Sequence, residues 1–187
     1  MRLDRVNESV PPGATPPSFA RLSPIPTFRD HPTSSVADIT GVDHRGSPLR
    51  VDLTEGSGWT VLLFLTTKCA GCSDIFDVAL NGARGGLLGA SEELYGRVRV
   101  VVVTPDPSEQ DPRAIARLVD RDATTHPTTV VMSSAAWRSY SVFGPPFFSL
   151  IGGAIPRVVT EGVVVSPEQV CDSVATAIEK VSSWTRS

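Results

Sequence analysis

The sequence predicts an α/β sandwich, a mixed central sheet flanked by helices with an N-terminal β-hairpin added to it. Two runs carry the prediction first. WTVLLFLTT (59–67) and RVRVVVVT (97–104) are apolar, rich in β formers and fit for strands buried on both faces. The second observation is the helix-start chemistry between and after such runs. The third is their order, strand–helix–strand–helix–strand, then hairpin and helix, which builds layers around one sheet.

The elements follow in turn. ADITGVDHRGSPLRVDL places two short alternating pieces around the turn signal His44-Arg45-Gly46-Ser47, a β-hairpin pattern. The strand at 59–67 follows. Ser73 to Leu80 is helical in pattern, with Ile75, Phe76, Ala79 and Leu80 on one face. Asn81 to Gly86 breaks it, and a short helix is expected at Ser91–Tyr95. After the strand at 97–104, Asp111 and Pro112 read as an N-cap and an N1 proline. The helix they open, over about 111–122, turns Ile115, Leu118 and Val119 inward. THPTTVVM (125–132) is a third strand, and Ala135 to Val142 a helical turn or short helix. FFSLI (147–151), a Gly152-Gly153 turn and RVVTEGVV (157–164) form an antiparallel hairpin. Ser166, Pro167 and Gln169 make a capping box with proline at N1. The helix behind it carries Val170, Val174, Ile178 and Val181 on one stripe.

Composition bounds the class. A chain of 187 residues is one domain with room for a real core. A net charge of −3 makes no electrostatic case for nucleic acid or an anionic membrane surface. Three cysteines, an odd number, exclude a disulfide scaffold. Residues 1–33 form a separate unit from the domain at 34–187. Pro11, Pro12, Pro16, Pro17, Pro24, Pro26 and Pro32 give it the composition of an extended arm. No apolar run approaches the roughly 20 residues of a membrane helix, and residues 1–30 hold no signal-peptide core. The expectation is a cytoplasmic protein if the chain is complete, and a membrane-tethered extracytoplasmic one if an anchor precedes Met1.

The chemistry centres on Cys69 and Cys72 in TTKCAGCSDIF. Cys69 falls in a turn between a buried strand and a helix start. There the helix dipole and free N–H groups favour a thiolate, and Lys68 adds a neighbouring positive charge. Cys72, a turn further in, is placed to attack a mixed disulfide at Cys69, which is two-step thiol–disulfide exchange. Zinc needs four ligands, and the remaining candidates, Cys171, His31, His44 and His126, are isolated. Two inert buried thiols are the remaining alternative. Cys171 itself reads as a buried thiol beside the last helix's stripe. GARGGLLGAS (82–91) lacks Gly-Lys-Ser/Thr and is no P-loop.

TVLLFLTTKCAGCSDIF resembles the active-site segment of the thioredoxin superfamily. VFGPPFFSLIGG resembles the segment where these proteins place a cis-proline opposite the redox pair, and EGVVVSPEQV resembles their last strand and helix. The resemblance covers residues 35–184, and the leading hairpin and inserted helix point to the TlpA and MauD-like redoxin branch. It implies Cys69 as nucleophile, Cys72 as resolving thiol and Pro146 as the cis-proline. It also implies a substrate groove lined by Lys68, Ala70, Gly71, Pro145 and Pro146. The implied function is thiol–disulfide exchange on protein disulfides, with a redox partner protein, no bound cofactor and no metal.

The sequence departs from the family at four places. Lys68 stands where tryptophan is common, Ala70-Gly71 lacks the usual proline, and Leu63 stands at the position of thioredoxin's buried aspartate. Pro145 has no N–H to offer a peptide. The departures keep a non-catalytic adaptor open as an alternative. A peroxiredoxin-like peroxidase is another. Thr66 matches that family's threonine three residues before the cysteine, but Leu62 stands in place of its proline.

Overall fold

The computed structural model of the chain describes residues 36–54, 58–81, 98–120, 128–153 and 155–184. The proline-rich arm, the glycine-rich stretch at 82–91 and the expected helix at Ser91–Tyr95 lie outside them. Seven strands form one sheet in the order β2-β1-β5-β4-β3-β6-β7.

β3 (Trp59–Phe64) is the centre. It pairs in parallel with β4 (Val98–Thr104), and β4 in parallel with β5 (Thr129–Met132). On its other side β6 (Phe147–Gly152) runs antiparallel to it, and β7 (Arg157–Val163) antiparallel to β6. The expected N-terminal hairpin is β1 (Ile39–Val42) and β2 (Pro48–Val51). It joins β5 through the single register pair Val42–Met132. Asp38 secures it: its carboxylate accepts from Leu53 N at 2.9 Å and from the Arg50 guanidinium. The Leu53 hydrogen bond first, then Arg50, holds that carboxyl below the usual range.

Strand alternation splits the core between two faces. Val61, Leu63 and Leu65 turn to one face. It is covered by α1 (Ser73–Asn81), α2 (Pro112–Val119) and α4 (Pro167–Trp184) through Ile75, Phe76, Ile115, Val170, Val174 and Ile178. Leu62 and Phe64 turn to the other, against the hairpin's Ile39 and Val51 and Ala136 of α3 (Ser134–Ser139). The expected inward face of α2 is narrower than its sequence pattern: Ile115 is fully buried, while Leu118 and Val119 are half-covered. Both predicted caps form. Asp111 accepts from Arg113 N at 3.0 Å, and Ser166 Oγ from Gln169 N at 3.3 Å. Among the described residues no helix is long and apolar enough to cross a membrane.

Candidate functional site

β3 stops three residues short of the run that predicted it. One more parallel bond forms, Leu65 N to Val103 O at 3.1 Å. Thr66 and Thr67 then turn to a side chain instead of a strand. Gln110 Oε1 accepts from Thr66 Oγ1 at 2.7 Å and from Thr67 N at 3.1 Å, and its Nε2 donates to Thr67 Oγ1 at 2.7 Å. Gln110 is 1% exposed, so its amide depends on these partners. Its own N–H donates to Asp106 O at 3.0 Å, fixing it just before the α2 cap. Sequence reasoning missed Gln110, because a lone glutamine beside an N-cap has no periodicity to mark it.

Lys68, exposed beside Cys69, donates from Nζ to Glu109 O at 2.6 Å and so reaches the loop before α2. With Gln110 it makes a second strap between that loop and the cysteine turn.

The turn then forms from its own backbone. Cys69 N donates to Thr66 O at 3.3 Å, and Cys69 O accepts from Cys72 N at 3.1 Å. Cys69 is the N-cap of a 3-10 turn over Ala70–Cys72 that runs into α1. Its side chain caps nothing and is half-buried, with the thiol donating to Pro145 O at 3.7 Å. Cys72 is fully buried in the core cluster that holds Leu63, Leu65, Ile75 and Phe76. All three cysteines are free thiols.

Burial pushes the Cys72 thiol up to about 12, and its hydrogen bond with the Cys69 thiol adds to the rise. A backbone hydrogen bond from Thr66 opposes it. Leu63 contributes no charge at the position where the resemblance looks for an acid. Cys171, on α4, is half-buried and also raised, by burial first and then by Asp172 and Glu168.

The Pro145–Pro146 peptide is cis, as the resemblance implied. Pro146 is buried and Pro145 half-exposed. A Cβ placed on Gly71 would stand 3.8 Å from Pro146 Cγ and Cδ, so the turn's backbone lies along that ring with room for little more than a methyl. Cys69, Gly71, Pro145 and Pro146 therefore meet at one point, with Ala70 exposed beside them and Cys72 beneath. Phe143, two residues before Pro145, is 91% exposed. Val163 and Val165 are exposed on either side of Val164, whose N–H donates to Pro146 O at 3.1 Å. Among the described residues no group of three His, Cys, Asp or Glu side chains is gathered for a metal ion.

The class defined here is the thioredoxin-like fold. A β-hairpin edge, a central parallel strand entering a CxxC turn, and a cis-proline turn leading to an antiparallel pair are its parts in this chain. No protein-family model matches the chain, and no curated protein does. Solved structures match it. A proposed thiol:disulfide interchange protein DsbE from Chlorobium tepidum is 18% identical with TM-score 0.56, covering 78% of this chain and 94% of that one. ScoI from Arabidopsis thaliana, solved with copper bound, is 18% identical with TM-score 0.54, covering 79% and 99%. The thioredoxin domain of a thiol-disulfide oxidoreductase from Bacteroides vulgatus is 15% identical with TM-score 0.53, covering 76% and 94%. At such identities the likeness is one of fold.

Proposed function

We propose that the chain is a thiol–disulfide oxidoreductase acting on protein disulfides. The observation that carries it is the arrangement of Cys69. A half-exposed thiol stands at the N-cap position of the turn into a helix, against Pro145 O, above a second thiol that is fully buried. The fold is shared with thiol-disulfide oxidoreductases, which supports the same reading.

In the reducing direction, the Cys69 thiolate attacks one sulfur of a substrate disulfide. That S–S bond breaks, a mixed disulfide forms at Cys69, and the other substrate sulfur leaves as a thiolate that takes up a proton. Cys72 then loses its proton and attacks Cys69 Sγ. The substrate's second sulfur leaves as a thiol, and the Cys69–Cys72 disulfide remains for a redox partner protein to reduce. Oxidation of a substrate dithiol runs through the same steps in reverse. Pro145, Pro146, Ala70 and Gly71 border the position the substrate sulfur must reach, and Lys68 braces it from the side.

Trapping tests the reading. With Cys72→Ala the second step is lost, so mixed disulfides with substrate proteins accumulate at Cys69 and dissolve in dithiothreitol. Adding Cys69→Ser abolishes them. A pair that glutathione buffers leave unmoved, with nothing trapped by Cys72→Ala, overturns the reading and favours a non-catalytic adaptor.

A further inference from the structure

Cys72 is fully buried, and Leu63 stands at the position where an acid would be expected to take its proton. Something else must support its thiolate when it attacks Cys69. A backbone hydrogen bond from Thr66 favours that thiolate, and Cys72 N donates to Cys69 O at 3.1 Å in the turn that Thr66 opens. Thr66 is also bound to the other cysteine, since its carbonyl accepts from Cys69 N at 3.3 Å. One residue thus touches both thiols' frames, and its own placement rests on its side chain. The Thr66 hydroxyl donates to Gln110 Oε1 at 2.7 Å and accepts from Lys68 N at 3.3 Å.

We propose that Gln110 is a positioning residue for the resolving thiol. Its buried side-chain amide holds Thr66, and through the bonds from Cys69 N to Thr66 O and from Cys72 N to Cys69 O it keeps Cys72 aimed at Cys69 during the second step. This rests on the redox reading above. Gln110 suits the task because each of its polar atoms is committed to Thr66 or Thr67. It is anchored in turn by the Asp106 carbonyl, outside the cysteine turn. A leucine at 110 would fill the volume and leave the Thr66 hydroxyl proton and the Thr67 N–H without their acceptor, so both threonines would turn elsewhere. The turn would then no longer hold Cys72 aimed at Cys69.

Ellman's reagent separates the two steps in one experiment, with Cys171→Ser in every variant so that only the pair reacts. The Cys69 thiolate attacks the reagent disulfide, releases one thionitrobenzoate and keeps the other half as a mixed disulfide. Cys72 then attacks Cys69 Sγ, releases the second thionitrobenzoate and closes the Cys69–Cys72 disulfide. Gln110→Leu is expected to slow the second phase about tenfold, the size of a lost hydrogen bond to a charged group, and the first phase much less. Thr66→Val gives the same split, and Thr66→Ser, which keeps the hydroxyl, recovers most of the loss. Combining Gln110→Leu with Thr66→Val adds little to either, as for residues in one network. A second phase unchanged in these variants, or slowed only as much as the first, overturns the proposal. If Gln110→Leu does not fold, the Thr66→Val and Thr66→Ser pair decides it alone. A parent protein with no fast first phase defeats the redox reading instead, so the two failures are distinct.

Discussion

The Cys69 thiol donates to the main-chain carbonyl of Pro145 at 3.7 Å, joining positions 76 residues apart. The contact offers a thiol an acceptor but offers a thiolate nothing, since a carbonyl oxygen repels negative sulfur. Proline also withholds the N–H that another residue would place there. A substrate peptide docking at this turn therefore finds an acceptor and no donor.

Pro145→Ala restores that donor and keeps the carbonyl. We expect KM for a disulfide-containing peptide to fall about fivefold, the worth of one ordinary hydrogen bond, with kcat little changed. Steady-state reduction of the peptide measures both. An unaltered KM would mean that bound peptides do not use the Pro145 backbone.

Peroxidase activity requires a hydroxyl proton free to reach a peroxide at Cys69. The Thr66 hydroxyl has one proton, and it goes to Gln110 Oε1. Leu62, where a peroxiredoxin carries proline, is buried in the opposite face of the sheet. Hydrogen peroxide should be consumed no faster than by a free thiolate at the same pH. Consumption orders of magnitude faster, followed by loss of peroxide absorbance, would restore the peroxidase alternative.

The parts of this fold that were legible in the sequence are those set by local rules. Val61 to Leu65 read as a strand buried on both faces because no polar residue interrupts them. Asp111 and Ser166 read as caps because a cap and its target N–H lie two or three residues apart. Family resemblance, not spacing, brought Pro146 to the cysteines. What stayed hidden was every partner chosen across the chain without such a precedent. Gln110 binds Thr66 across 44 positions and Lys68 binds Glu109 across 41, and neither pair carries a local signature. Lys68 neighbours Cys69 in sequence, and its ammonium also binds the Glu109 carbonyl of another loop, which nothing near it in the sequence signals.

The joint between hairpin and sheet is narrow, a single register pair at Val42–Met132. Gly41 lies beside it, and a Cβ there would come 2.3 Å from Met132 O and 3.0 Å from Ser133 Cβ. The oxygen belongs to a strand and cannot swing aside. Gly41→Ala should cost about 1–3 kcal/mol by overpacking and loosen the hairpin from β5. Gly58, with open space around it, is the control. Gly58→Ala should be neutral or stabilising by up to about 1 kcal/mol. Urea unfolding gives both values, and a Gly41→Ala protein as stable as the parent would show that β1 can shift to make room.

Burial of Cys72 also makes stability depend on pH, and the sign follows from the two states. Its thiol rises from an ordinary 9.0 to about 12 in the folded protein, through burial first and then the Cys69 hydrogen bond. Below the unfolded value both states keep the proton, and the thiol favours neither. Above it the unfolded chain sheds the proton while the folded chain retains it. The folded state then binds more protons, so stability falls with rising pH, by at most about 1.4 kcal/mol per pH unit for this group. The loss levels off once the pH passes the folded value. Tyr140 and Cys171 are raised by burial as well and push the same way. The comparison of parent with Cys72→Ala, both fully reduced, isolates the one thiol. Urea midpoints should fall between about pH 8 and about pH 10 in both, and less steeply in the variant. Equal slopes would mean that Cys72 ionises in the folded protein as readily as in the unfolded chain. In that case the resolving thiol would need no support from Thr66.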